Sequence, residues 1–245
     1  MRVCVVTGGG GVRIGSGICR ALAGQGRTVV VADQDLEAAE LVVEELRAAG
    51  ATAVAMRLDV TDADSVREVV AATVTAYGQV DAWVNSAGVG LRKRGAEATP
   101  EEFDQLHAIN YRGAWTCIRE VVPVMLENGG GGIVNIGSVH AAGAAGTFTL
   151  YAATKAALAA LTRGIARDYG RQNLRCNIVH PGAVEARGNE HLLADFVASK
   201  QMLPTAVEAI DIGNAVAFLL SPEARAITGV ELFVDAGTTA MLFEQ

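Results

Sequence analysis

The sequence predicts an α/β protein: a doubly wound parallel sheet of about seven strands in a single domain. Three observations predict it. Short apolar runs rich in β-branched residues alternate with longer segments of helical periodicity along the whole chain. Strands that alternate with helices imply parallel βαβ units with right-handed crossovers. No linker, charge block or repeat divides the 245 residues, so one domain is expected over 1–245.

Each element follows in order. Val3–Val6 is a continuous apolar run before a glycine cluster, hence a buried strand. Ser16–Gln25 reads as a helix ending at Gly26, and Thr28–Ala32 as a second buried strand. In Leu36–Ala49, Leu36, Ala39, Val43 and Leu46 form one stripe and Gly50 caps the helix. Ala53–Leu58 is a third strand, Asp64–Tyr77 a helix stopped by Gly78, and Val80–Val84 a fourth strand. Pro100 opens a helix with Glu101 and Glu102 in its first turn, where they suit the helix dipole. That helix is expected to run to Glu127, perturbed near its end by Pro123. Ile133–Ile136 is a strand, Leu150–Tyr169 a long Ala-rich helix, and Leu174–Val179 a strand stopped by Pro181-Gly182. Leu192–Lys200 and Ile210–Leu219 read as helices, and Val230–Val234 as the last strand.

Composition excludes several functions. Apolar residues are 51% and charged residues 19%, which excludes a disordered chain. Twenty basic against 27 acidic residues, a net charge of −7, give no general pull on nucleic acid. The cysteines Cys4, Cys19, Cys117 and Cys176 form no Cys-x-x-Cys pair, and no His cluster has metal-ligand spacing, so no metal is expected. They read as reduced core thiols. The first apolar run stops at glycines too early for a secretion signal, and no window has the ~20 apolar residues of a membrane span. No membrane partner is expected, and the cytoplasm is the expected location.

The first strand runs into Thr7-Gly8-Gly9-Gly10-Gly11-Val12-Arg13-Ile14-Gly15. A glycine-rich turn between strand and helix lets backbone approach a pyrophosphate, though a tight turn alone reads the same way. Asp33 ends the second strand, where a carboxylate can accept from both adenosine ribose hydroxyls and repel a 2′-phosphate. It equally suits the N-cap of the next helix. Arg13 points the other way, toward a 2′-phosphate. NAD is favoured over NADP. Asp59-Val60 and Asn85-Ser86-Ala87-Gly88 follow the third and fourth strands, at carboxyl ends where open α/β sheets bind ligands. Both also read as turn chemistry.

Ser138, Tyr151 and Lys155 carry the chemistry. Tyr151 and Lys155 are i and i+4 on one helix and share a face, as a half-exposed surface pair would too. A free tyrosine, with a pKa near 10, is a poor base at neutral pH. A lysine ammonium one turn away, with a positive nicotinamide ring, favours the phenolate and lowers that pKa. Tyr151 then takes a proton from an alcohol, or gives one to a carbonyl, as hydride moves.

The chain resembles the compact single-domain branch of the short-chain dehydrogenase/reductase family, with its Rossmann-like sheet. The resemblance covers Val3 to Gly237. It rests on Thr7-Gly8…Ile14-Gly15, Asp59-Val60, Asn85-Ser86-Ala87-Gly88, Asn110, Ile133–Ser138, Tyr151-x-x-x-Lys155, Asn177…Pro181-Gly182 and Ile227-Thr228-Gly229…Val234-Asp235 in order. It implies Tyr151 as general acid/base and Lys155 as the group that lowers its pKa and binds the nicotinamide ribose. It implies that Ser138 stabilises the reacting oxygen and that Asn110 holds a water linking Lys155 to solvent. The cofactor contacts it implies are Thr7, Gly8, Gly11, Arg13, Ile14 and Gly15; Asp33, Asp59 and Val60; Asn85, Ala87 and Gly88; and Pro181, Gly182 and Val184, beside Tyr151 and Lys155. It also implies a homo-oligomer, a tetramer or else a dimer.

Four departures stand out. The glycine loop has one extra residue, with Arg13 at the middle glycine's place. Ser86 replaces an asparagine, Ala186 a threonine, and Asp235-Ala236-Gly237 the usual Asp-Gly-Gly. The substrate lid, about 185–205, is short. Expected pocket residues are His140, Phe148, Glu185, and Leu192 and Phe196 of the lid, with His140 a wall or a second acid/base. Arg92-Lys93-Arg94 is a solvated loop or a carboxylate clamp. The expected activity is hydride transfer between NAD(H) and a secondary alcohol or ketone. The alternatives are an NADPH-dependent 3-ketoacyl reductase, disfavoured by Asp33, and a non-catalytic NAD-sensing or scaffold protein, which needs no acid/base set.

Overall fold

A computed structural model describes residues 2–11, 14–143, 146–184 and 190–241, with the side chains of 190–193 left out of the description. Seven strands form one parallel sheet: β1 Val3–Thr7, β2 Thr28–Asp33, β3 Ala53–Arg57, β4 Ala82–Asn85, β5 Gly131–Ile136, β6 Leu174–Pro181 and β7 Glu231–Val234. Their order is β3-β2-β1-β4-β5-β6-β7, and every neighbouring pair is parallel. The order reverses between β1 and β4. Ligands of open α/β sheets bind outside the strand carboxyl ends at that switch point.

The strands are apolar throughout because both faces are covered. Along β1, Cys4 and Val6 face α1 (Ile14–Gly24), α2 (Leu36–Ala48) and α8 (Ala209–Leu219), among Ile18, Leu22 and Ile212. Val3 and Val5 face α3 (Ala63–Tyr77), α5 (Ala114–Glu127) and α6 (Thr149–Tyr169), among Val66, Trp83, Ile118 and Val121. The helices α4 (Pro100–His107) and α7 (Glu190–Lys200) complete the set. Helices α1 and α8 meet through glycines: a Cβ on Gly17 would lie 2.4 Å from the Ala209 carbonyl, and one on Gly213 2.4 Å from that of Gly17. All four cysteines are buried and free, and burial pushes the thiol of Cys4 up to about 12. Among the described residues no helix is long and apolar enough to cross a membrane, and no His/Cys/Asp/Glu group could hold a metal.

Two expectations need correction. The N-cap of α2 is Asp35, whose side chain accepts from the Ala38 N–H at 3.1 Å; Asp33 lies too far upstream. The long helix does not falter at Pro123, which α5 accommodates inside its span. It breaks earlier, in a π-helical segment at Ala108–Gly113, which separates α4 from α5 and contains Asn110. Such insertions widen the helix locally and turn a side chain off its regular course. The start of α4 is as expected and carries a full capping box, Thr99 with Glu102.

Candidate active site

The strand ends at the switch point are tied to one another. The Thr7 hydroxyl accepts from the N–H groups of Ser86 and Ala87, both at 3.1 Å, so the β1 and β4 exits move as one. Gly8 has φ +65°, which favours glycine, and a Cβ there would touch Ala87 at 2.8 Å. A Cβ on Gly15 would lie 2.0 Å from the Gly8 carbonyl oxygen. The first turn of α1 therefore presses directly on the loop, leaving a bare backbone cradle at a helix N-terminus, the environment an anionic diphosphate needs.

A cavity of about 820 Å³ opens along these strand ends. Its lining includes Gly8, Gly15, Asp33, Ser138, Tyr151 and Lys155. Gly11, Ile14, Asp59, Val60, Ala87, Gly88 and Gly182 also reach it. Asp33 is held by two backbone donors, Gly10 N–H at 2.9 Å and Asp35 N–H at 3.1 Å. A carboxylate has about four acceptor sites, so lone pairs remain free to accept from a ligand.

Asn85, Thr7, Pro181 and Val184 are not part of that lining. Asn85 is turned into the sheet, where its Oδ1 accepts from Trp83 Nε1 and its Nδ2 donates to Asn135 Oδ1, both at 2.8 Å. Asn135 in turn donates to Thr162. The Asn85 amide thus ties β4 to β5, and through Asn135 to α6. Val184 pairs with Val207 in an isolated bridge. Arg13 and Glu185 lie outside the described residues, as does the side chain of Leu192.

Ser138, Tyr151 and Lys155 come together at the end of β5. Ser138 caps the single helical turn Val139–Ala141, and its Oγ accepts from the His140 N–H at 3.2 Å. It lines the cavity together with Tyr151 and lies close enough to the phenol to favour its ionised form. The Lys155 ammonium is buried, donates to the Ile136 carbonyl at 2.9 Å and lies 5.7 Å from the Tyr151 ring centroid. Asn110 sits behind them: its Oδ1 accepts from Val89 N–H at 2.8 Å and its Nδ2 donates to Val89 O at 2.9 Å and Thr154 Oγ1 at 3.3 Å. Gly88 leaves the gap between Asn110 and Lys155, since a Cβ there would lie 3.3 Å from Asn110 Oδ1 and 3.5 Å from Lys155 Nζ.

The electrostatics correct one expectation. Burial pushes the Tyr151 phenol above its ordinary value, and the Ser138 side chain recovers only part of that. The chain by itself does not depress the tyrosine pKa. Lys155 gives its contact to a backbone carbonyl, and burial pulls its own pKa down to about 8.

The outer wall is aromatic. His140 stacks on Phe148 with centroids 4.5 Å apart, and both rings meet the Tyr151 ring edge-on at 6.0 and 6.2 Å. Burial pulls the His140 pKa down. Lys93 and Arg94 pair with Glu102 and Glu97. Arg92 lies 5.9 Å from the Phe148 ring centroid and is not part of the cavity lining. Gln34, Gln105 and Arg112 do line it. No motif marks these three: Gln34 directly follows Asp33 at the end of β2, while Gln105 and Arg112 arrive from α4 and the π segment, whose geometry the sequence does not announce.

The family model for Enoyl-(Acyl carrier protein) reductase matches residues 11–239. The chain belongs to the short-chain dehydrogenase/reductase family. Among curated relatives of this dehydrogenase/reductase, the 7alpha-hydroxysteroid dehydrogenase of Bacteroides fragilis is 32% identical, over 97% of this chain and 94% of its own. The cyclopentanol dehydrogenase of Comamonas testosteroni is 32% identical over 98% and 97%. The 3-oxoacyl-acyl-carrier-protein reductase of Staphylococcus aureus is 33% identical over 91% and 93%. A solved protein of Burkholderia xenovorans described as a short-chain dehydrogenase/reductase superposes with a TM-score of 0.94, at 32% identity over 99% of this chain and 98% of that one. This dehydrogenase/reductase is thus an oxidoreductase by family.

Proposed function

We propose that the protein transfers hydride between NAD(H) and a secondary alcohol or ketone, with Tyr151 moving the hydroxyl proton. One observation carries this reading: a single cavity joins the Asp33 carboxylate and the glycine cradle to Ser138, Tyr151 and Lys155. The cradle fits a dinucleotide because Gly8 and Gly15 leave backbone where any Cβ would collide. A bound nicotinamide supplies or accepts the hydride. Asp33 accepts from the adenosine ribose hydroxyls, and Asp59 and Val60 flank the adenine. Lys155 binds the nicotinamide ribose and favours the phenolate. Ser138 donates to the reacting oxygen, and Tyr151 takes the proton in oxidation or gives it in reduction. Asn110 positions a water on the path from Lys155 to solvent. The aromatic wall of His140 and Phe148 favours a ring-bearing or flat apolar substrate end.

The test is a turnover screen with NAD⁺ over secondary and cyclic alcohols, steroid alcohols, polyols and hydroxy acids. Turnover of none of them, despite tight NAD binding, favours a non-catalytic NAD-sensing role. A 3-oxoacyl substrate turned over best with NADPH favours the ketoacyl reductase reading.

Cofactor choice rests on Asp33. NADH is expected to exceed NADPH in kcat/KM on one ketone. Asp33→Ala is expected to narrow the gap, because it removes both ribose acceptors and the repulsion of a 2′-phosphate. Better use of NADPH by the wild type defeats the assignment.

The protein is further proposed to be a cytoplasmic homo-oligomer, a tetramer or else a dimer. Phe103 on α4 and Trp115 on α5 are exposed large apolar side chains, 43% and 41% accessible, and burial between subunits would remove them from water. Light scattering at micromolar concentration is expected to give a mass above the 25.4 kDa of one chain; a monomer contradicts it.

A further inference from the structure

His180 ends the apolar run of β6, just before Pro181-Gly182, in no motif with an assigned role. It is fully buried and stacks on Phe233 of β7 at 4.8 Å. A buried imidazole needs partners at both nitrogens. Its Nε2 lies 3.1 Å from Glu231 Oε2, and a carboxylate only accepts, so Nε2 carries the proton. Burial pulls the His180 pKa down, against the raising influence of Glu231 and of the Ser138 backbone, and Lys155 nearby lowers it further. Nδ1 lies 3.0 Å from the Ser138 nitrogen and 2.9 Å from the Ser138 carbonyl oxygen, so it accepts from the N–H as a lone pair or donates to the carbonyl as an N–H, and in either form it ties the ring to the Ser138 backbone. Gly137 admits the ring to the strand end, since a Cβ there would lie 2.3 Å from Nδ1. Glu231 is held from outside by Arg163 of α6. A chain of contacts therefore runs from Arg163 through Glu231 and His180 to the Ser138 backbone.

We propose that His180 is a positioning residue for hydride transfer: its Nδ1 fixes the Ser138 backbone and with it the serine hydroxyl beside Tyr151, and Glu231 holds the ring in place through Nε2. The inference rests on the proposed reaction only in its kinetic arm.

His180→Leu removes the backbone's partner while filling the space, and His180→Asn keeps a polar group near the place of Nδ1. Losing a buried hydrogen-bond partner leaves a Ser138 backbone group unpaired, so His180→Leu is expected to lose about tenfold or more in kcat. KM for NAD(H) is expected to stay within about twofold, because the ring touches no part of the cofactor cradle. His180→Asn is expected to recover most of the kcat. The second arm needs no turnover: Tyr151 ionisation is followed by tyrosinate absorbance with NAD⁺ present, the Tyr151→Phe signal subtracted. His180→Leu is expected to move that titration up by about half a unit or more, because a displaced Ser138 stabilises the phenolate less. Should His180→Leu not fold, Glu231→Gln, on an exposed strand start, carries the same arm and is expected to shift it in the same direction. An unmoved tyrosine titration in the folded variants overturns the proposal, as does equal loss in the Leu and Asn variants that tracks their melting temperatures. Wild-type protein that binds NAD⁺ but turns over no alcohol refutes the proposed reaction, and the tyrosine titration of the His180 and Glu231 variants then decides on its own whether His180 positions Ser138.

Discussion

Tyr151→Phe is expected to lose at least about 10²–10⁴-fold in kcat, the range a positioned acid/base supplies. The phenol stands at one point of a triangle whose others are the Ser138 hydroxyl and the buried Lys155 ammonium. Phenylalanine fills the same space between His140 and Phe148, so the fold and the aromatic wall survive. Dinucleotide affinity is expected to change little, since the cradle at Gly8 and Gly15 lies on other elements. Steady-state kinetics with a fluorescence titration of NADH separate the two quantities. The direction with pH follows from the same geometry. Oxidation needs the phenolate, so kcat for the alcohol is expected to rise with pH through the tyrosine pKa, while ketone reduction falls over the same range. Burial raises that pKa in the chain alone, so Lys155 needs the added charge that arrives with the bound cofactor to bring it down. The apparent pKa for oxidation is therefore expected below that of free-chain tyrosinate formation. Near-wild-type turnover by Tyr151→Phe would hand the proton to another group, His140 first.

How much of this was legible depends on the kind of signal. The strands were legible because both faces of the sheet are covered, which writes them as unbroken runs such as Val3–Val6 and Thr28–Ala32. Tyr151 and Lys155 were legible because i and i+4 on a helix is a local relation. Asn110 was legible as a residue but not as a geometry. The π segment that holds it is a hydrogen-bonding shift without a breaker residue, while Pro123, the visible breaker, sits quietly inside α5. Asn85 was assigned to the cleft because it ends a strand there; its side chain instead satisfies Trp83 and Asn135 inside the sheet. His180 was illegible because its partners, Ser138 and Glu231, are joined to it only by the pairing of β5, β6 and β7. The lysine's effect on the tyrosine was read from charge alone, and the burial that opposes it is a property of the packed site.

That burial makes Lys155 costly to the fold, and Lys155→Met is expected to melt higher than the wild type at pH 7 while losing activity. The ammonium is 5% accessible, with its pKa pulled down to about 8 from 10.5 by burial. A lysine whose folded pKa is lowered disfavours the folded state fully below that value. The penalty fades between about pH 8 and 10.5, where the unfolded chain binds more protons than the folded one. At about 1.4 kcal/mol per unit, the penalty at pH 7 is about 3 kcal/mol. Methionine removes it but leaves the Ile136 carbonyl without its donor, which costs about 1–3 kcal/mol. The net gain is on the order of 1 kcal/mol, or about 2–4 °C for a chain of this size. Thermal melts of both proteins at pH 7 and pH 10 test the origin of the gain, which is expected to shrink or reverse at the higher pH, where the wild-type lysine is neutral in the fold. In parallel, kcat and cofactor affinity are both expected to fall, because one ammonium serves the phenolate and the ribose. A gain of equal size at both pH values would trace it to packing rather than charge, and a loss at pH 7 would show that the buried ammonium is stabilised by contacts beyond the Ile136 carbonyl.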